Sequence, residues 1–203
     1  MLIHFLTQSA DGYIEGPNGE FDWPHMGPEL SAYSQALADD ADAFLYGRKV
    51  WDMMSGFWPK AEEYSDDPHD LAFAPLWRAM PKYVVSRTLE KADWNTEVIS
   101  GDVAARVAAL KEGGKRIMMF GGSELASELT ERGLVDEWVL VINPIFLGGG
   151  KPAYGPMTQR TQLRQVDSRV VDGKVTLLRF VREDASEPVQ QVAAEPVRQE
   201  AAG

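Results

Sequence analysis

Three short segments of the chain carry groups suited to holding phosphate. Gly47-Arg48-Lys49-Val50-Trp51 sets two adjacent cations where an apolar run ends and a helical pattern begins. Cations at a helix start oppose the helix dipole, and an anion bound at the same place removes the conflict. Val84-Val85-Ser86-Arg87-Thr88 runs from a strand pattern into two hydroxyls and a guanidinium, a set suited to a phosphate monoester. Phe120-Gly121-Gly122-Ser123-Glu124 reads as a strand, a glycine pair and a helix start, where the backbone can approach a diphosphate and free N–H groups can meet it. Taken singly, each segment reads equally well as a solvated charge pair, a polar turn or a tight strand-to-helix connection. Together they all fall at the C-terminal ends of strands, the edge where open α/β sheets bind ligands.

The rest of the chain narrows the chemistry. No cysteine occurs among the 203 residues, which excludes disulfides, thiol nucleophiles and cysteine-held metals at once. His4 lies in an apolar strand pattern and reads as a core histidine. His25 and His69 lie in loop sequence without partners at ligand spacing, so no metal is expected. No Ser/His/Asp or paired-carboxylate constellation can be assembled, which disfavours a hydrolase. A formal net charge of -11 and an isoelectric point near 4.7 oppose nucleic acids and anionic membranes as partners. A small anion is still admissible, because cations and N–H groups gathered in one cleft reverse the field locally.

Elements must position these segments. With 44% hydrophobic and 25% charged residues, the composition is that of a globular chain able to bury a core. Apolar runs at Leu2–Thr7, Ala43–Tyr46, Lys82–Ser86, Glu97–Ser100, Arg116–Phe120 and Glu137–Ile142 read as strands. Leu30, Tyr33 and Leu37, behind Pro28, predict a helix over 28–40. Val50, Trp51 and Met54 mark a short helix; Asp102 is expected to cap a helix stopped by Gly113-Gly114, and Ser123 to cap one closed by Gly133. Pro59, Pro68 and Pro75, with Pro81 just beyond, make 55–80 read as a long ordered surface loop. Asp172-Gly173 between the runs 162–171 and 174–182 is a hairpin signal. The alternation predicts an α/β fold: a mostly parallel sheet with helices on both faces, ending in an antiparallel hairpin. Trp51, Trp58, Trp77, Trp94 and Trp138 read as core or loop-packing aromatics. One domain is expected over 1–183, followed by a disordered tail over 184–203.

The order of these segments resembles that of the dihydrofolate reductase-like superfamily, in the branch similar to the C-terminal reductase domain of bifunctional riboflavin-biosynthesis deaminase/reductase proteins. The matching residues are Ser9-Ala10-Asp11-Gly12-Tyr13-Ile14, Gly47-Arg48-Lys49 with Trp51, Val85-Ser86-Arg87, Phe120-Gly121-Gly122-Ser123, Gly133-Leu134-Val135-Asp136-Glu137 and Pro144-Ile145-Phe146-Leu147-Gly148-Gly149-Gly150. The resemblance covers residues 1 to about 182 and implies a three-layer α/β/α fold that binds NADPH. It assigns the adenosine phosphates to Arg48, Lys49, Ser86 and Arg87 and the diphosphate to Gly121 and Gly122, with Gly47, Ser123 and Glu124 as further candidate cofactor-binding residues. Val50 stands where the family usually has threonine, so one hydroxyl contact is missing. Folate reductases carry a carboxylate on the first helix a few residues beyond a loop tryptophan. Here Trp23 supplies the tryptophan, Glu29 is the nearest downstream carboxylate and Asp22 its competitor, with Asp11 of the first loop as a third candidate proton donor. Trp23 and His25 are candidates for the substrate pocket.

These expectations describe an NADPH-dependent reductase of a pyrimidine- or pterin-like heterocycle, folate itself being disfavoured. The alternative is a nucleotide-binding protein without turnover, in a structural or regulatory role. The N-terminus shows no signal peptide or span, so a cytoplasmic location is expected. Val175, Leu177 and Val181 alternate with Thr176, Leu178 and Phe180, leaving a strand apolar on both faces that must be covered by helices of the same chain or by a partner. The resemblance, whose members commonly pair through this part of the sheet, implies a homodimer formed by the hairpin and Leu147-Gly148-Gly149-Gly150.

Overall fold

The computed structural model describes residues 1–184; the greater part of the expected tail, 185–203, lies outside the described residues. In chain order the strands are β1 (Leu2–Ser9), β2 (Tyr13–Glu15), β3 (Ala43–Gly47), β4 (Lys82–Val85), β5 (Thr96–Ile99), β6 (Ile117–Phe120), β7 (Glu137–Asn143), β8 (Lys151–Pro152), β9 (Leu163–Val171) and β10 (Val175–Arg182). The helices are α1 (Pro28–Asp39), α2 (Arg48–Phe57), α3 (Ala61–Tyr64), α4 (Pro68–Ala79), α5 (Val103–Glu112) and α6 (Ser123–Glu131). One eight-stranded sheet runs β5-β4-β3-β6-β1-β7-β10-β9, and β2 pairs with β8 apart from it. Pairings from β5 to β7 are parallel, and β10 runs antiparallel to both β7 and β9.

Neighbouring residues of the central strands serve opposite faces, as a pleated strand dictates. Ile3, Phe44, Tyr46, Met118 and Phe120 join residues of α1, α2 and α4 in one buried cluster. Leu2, Ala43, Leu45, Ile117 and Met119 join residues of α5 and α6 in a second. A sheet buried on both sides explains why these strands read as unbroken apolar runs. The fold is thus the expected three-layer α/β/α arrangement. The hairpin closes with Asp172 and Gly173 at φ 54° and 60°, the paired left-handed residues of a type I′ turn. Among the described residues no helix is long and apolar enough to cross a membrane.

Several expectations give way. The predicted loop over 55–80 is largely helical, with a 3-10 turn at Trp58–Lys60 followed by α3 and α4, and Pro75 lies inside α4. An interior proline costs a helix about 3 kcal/mol, but Phe73 and Trp77 come to lie on one face and are buried, and Phe73 stacks on Phe44. Packing outweighs propensity there. Trp94 is 43% exposed and sits at φ 58°, so it is no core residue, unlike Trp51, Trp77 and Trp138. Strand β10 is no edge: it lies between β7 and β9, and Val175 and Leu177 share a buried cluster with Leu30, Tyr33 and Leu37 of the same chain. The true edge strand, β9, exposes Val170 at 65%. The β2/β8 pair was not expected, because two and three residues are too short to show a period.

Candidate functional site

Strands β3, β4 and β6 all end on the same edge, and the three anion-suited segments meet there around a cleft of about 710 Å³. Gly47, Arg48, Lys49, Ser86, Arg87, Gly122, Ser123 and Glu124 all line it. Gly121 stands behind, where a Cβ would touch Val50 Cγ2 at 3.5 Å. Val50 is among the lining residues, and its side chain packs against the buried cluster shared with α1, α2 and α4.

The starts of α2 and α6 open into this space. Their N-cap residues are Gly47 and Gly122, and neither helix has a side-chain cap. Ser123, expected as the cap, is instead the first helical residue, because Gly122 takes the cap position in the left-handed conformation at φ 79°. Its buried Oγ has no hydrogen-bond partner among the described residues. A polar atom sheltered without a partner is costly, and this one lies on the side of Gly155, where a Cβ would stand 4.0 Å from it.

Charge follows the same geometry. Arg48, Lys49, Arg87, Arg132 and Lys151 line the cleft against Asp102, Glu124 and Glu128, a cationic surplus in a chain of net charge -11. Arg48 Nε donates to Asp52 at 2.8 Å, and Lys151 Nζ donates to Glu124 at 2.6 Å. The Lys151 ammonium holds the Glu124 carboxyl below its usual range. Ser86 Oγ accepts from Thr88 N and Leu89 N, which leaves its O–H free to donate.

The residues expected to touch substrate lie elsewhere, near the first loop and the start of α1. Glu29 and Asp172 clasp each other: Asp172 Oδ1 and Oδ2 accept from Glu29 N and Leu30 N, and Glu29 Oε2 accepts from Asp172 N at 2.7 Å. Gly27 makes room, since a Cβ there would overlap the Asp172 carboxyl. Asp11 accepts from Ser9 Oγ, Gly148 N and Leu147 N, and these bonds hold its carboxyl low, the serine hydroxyl most of all. Asp11 therefore ties the first loop to the glycine run. Asp22 is exposed, and Trp23 Nε1 donates to Glu20 O. His25 N donates to Asn143 Oδ1, while its Nε2 stands 3.8 Å from Asp172 Oδ2, beyond a hydrogen bond.

Sequence reasoning missed Lys151, Arg132, Asn143 and the capping role of Asp172. Lys151 had a signal, following directly on Gly148-Gly149-Gly150. Asp172 had none, because the turn explains it fully and its partner lies 143 residues away.

A strand-edge cleft flanked by two glycine-capped helix starts defines a dihydrofolate reductase-like α/β protein. The chain belongs to the RibD C-terminal domain family, which matches residues 1–177. It is 36% identical over 178 residues to the uncharacterized protein YyaP of Bacillus subtilis (strain 168), covering 86% of this chain and 90% of that protein. Its fold is similar to that of a putative riboflavin biosynthesis protein from Shewanella sp. PV-4, with TM-score 0.71, 24% identity, and 90% and 98% of the two chains covered. It is also similar to dihydrofolate reductase from Enterococcus faecalis complexed with NADP(H), with TM-score 0.61, 14% identity, and 91% and 97% covered.

Proposed function

We propose that this protein is an NADPH-dependent reductase of a C=N or C=O bond in a small pyrimidine- or pterin-like heterocycle. One observation carries the reading: two uncapped helix starts and a surplus of cations converge on one strand-end cleft. These donors suit a dinucleotide with a further phosphate. Arg48, Lys49 and Arg87 would take the ribose 2′-phosphate; the first N–H groups of α2 and α6 would take the diphosphate. The solved NADP(H) complex of the similar Enterococcus enzyme supports this choice of cofactor.

When bound, the cofactor supplies the hydride, and the chain supplies orientation and shelter from water. Asp11 fastens the glycine run to the first loop, while Trp23 and His25 stand by to wall the substrate end. Of the candidate proton donors, Glu29 and Asp11 already accept backbone N–H bonds, so Asp22 or solvent is left for that role. That engagement of Glu29 and Asp11 also favours the second reading, a nucleotide-binding protein without turnover. Calorimetry with NADPH and NADH, then loss of NADPH absorbance with a panel of pyrimidines and pterins, tests both. Equal affinity for the two cofactors removes the 2′-phosphate assignment. Affinity without oxidation by any heterocycle favours the binder.

The same proposal includes a homodimer formed through the half-buried face of β7 and β10 that carries Leu140, Ile142, Thr176 and Leu178. Light scattering at micromolar concentration should report two chains, and Leu178→Lys should give one. Retention of the dimer in that variant would move the interface elsewhere.

A further inference from the structure

The first strand contains a histidine that apolar packing does not explain. Leu2, His4 and Leu6 point to the face covered by α5 and α6, where hydrocarbon would suffice at all three positions. His4 is fully buried, and both ring nitrogens are engaged by distant segments: Nδ1 lies 3.0 Å from Tyr154 Oη and Nε2 3.1 Å from Gly121 O. A carbonyl oxygen only accepts, so Nε2 carries the proton and donates to Gly121 O. In a neutral ring Nδ1 then accepts from the Tyr154 hydroxyl. Burial keeps the ring neutral, with its pKa pushed down to about 4.

Gly121 is the first residue of the glycine pair, and its N–H makes the last contact of the β6 end with β1, to Phe5 O at 3.3 Å. Beyond it the chain turns through φ 51° and 79°. No peptide bond among the described residues is cis, and in a trans peptide the N–H points opposite to the C=O. His4 holds the Gly121 carbonyl toward the core. The Gly122 N–H on the same peptide must therefore point away from the core, on the side where Gly122 lines the cleft. Among the described residues it meets no acceptor.

We propose that His4, locked by Tyr154, is a positioning residue that turns the Gly122 N–H into the cleft as a donor for a diphosphate. This rests on the cofactor-site reading above and adds to it the group that sets the orientation of the glycine pair. Glycine alone would leave that peptide free to rotate, since both of its residues tolerate either hand of backbone. His4 removes the freedom before any ligand arrives.

The test uses the full chain labelled with 15N-glycine, titrated with inorganic pyrophosphate, and calorimetry with NADPH and with adenosine 2′-monophosphate, which lacks the diphosphate. In the wild type, pyrophosphate should shift the Gly122 amide. In His4→Leu that response should vanish and NADPH affinity should fall by roughly tenfold or more, while adenosine 2′-monophosphate binds as before. His4→Gln, which returns an N–H donor, should recover most of both, and Tyr154→Phe should give a partial loss. A Gly122 amide that ignores pyrophosphate in the wild type, or a His4→Leu loss equal for both nucleotides, overturns the proposal even if NADPH binds. A wild type that answers pyrophosphate and refuses NADPH overturns the cofactor reading and leaves the role of His4 standing.

Discussion

The longer helices of this protein begin in two ways. At α1, α4 and α5 an aspartate closes the start: Asp172 from the hairpin, Asp67 and Asp102 each accept first-turn N–H groups. At α2 and α6 the start is glycine with nothing over it. A glycine cap costs only a few tenths of a kcal/mol relative to aspartate, provided water or a ligand reaches the open N–H groups. On the proposed cofactor reading, the closed starts carry stability and the open ones carry binding capacity. Arg48 and Lys49 sharpen the contrast, since cations in the first turn of a helix are unfavourable until an anion sits among them.

The largest expected effect concerns His4 beneath the open start of α6. Its pKa falls from 6.5 in the unfolded chain to about 4 in the fold because burial disfavours the charged ring. Above pH 6.5 neither state binds the proton and His4 adds no pH dependence. As pH falls toward 4 the unfolded chain takes up the proton first, so stability declines by up to about 3 kcal/mol. Urea denaturation between these limits should show this slope reduced in His4→Leu. His69, also lowered by burial, acts in the same window in both proteins and cancels in the comparison. An unchanged slope would mean that His4 is not buried neutral.

Next in size is the cationic rim. Arg48→Gln combined with Arg87→Gln should weaken NADPH by about 2 kcal/mol and NADH far less, read by calorimetry. Equal losses would break the link between the open helix starts and a phosphorylated ribose. A more direct way to break the contrast is to close an open start. Gly47 has an extended backbone at φ -74°, and a Cβ there would meet only Leu125 at ordinary contact distance. Gly47→Asp should thus fold, cap α2, raise thermal stability slightly and lower NADPH affinity about tenfold, about 1.4 kcal/mol. Unchanged affinity would show that α2 contributes no donors.

The smallest effect runs the other way. Asp172→Ala removes the cap of α1 and should cost about 1 kcal/mol of stability in denaturant titration, with NADPH affinity unaltered. A parallel loss of affinity would show that the two ends of the ligand edge are coupled.

What could be read from sequence was whatever is local. The strands showed because both faces of the sheet are covered, and the anion-suited segments showed because each lies within five residues at a strand end. Helix α4 was hidden by its prolines, whose local cost is overcome only by Phe73 and Trp77 packing against distant strands. The engagement of two candidate carboxylates was hidden for a similar reason. Glu29 and Asp11 look available in sequence, and their partners Asp172, Leu147 and Gly148 are more than a hundred residues away. His4 was correctly read as a satisfied core residue, but nothing near it in sequence could reveal that one of its partners was the glycine pair.

The clasp between Asp172 and α1 also bears on how the chain folds. Helix α1 occupies residues 28–39, yet the carboxylate that completes its first turn comes from the hairpin 143 residues on from Glu29. During synthesis α1 emerges early and waits with open N–H groups until β9 and β10 have paired. A contact over such a separation forms late, because loop closure must precede any gain from it. The first turn of α1 is therefore completed only once the hairpin has formed, so a change that loosens the hairpin turn should also loosen the start of α1.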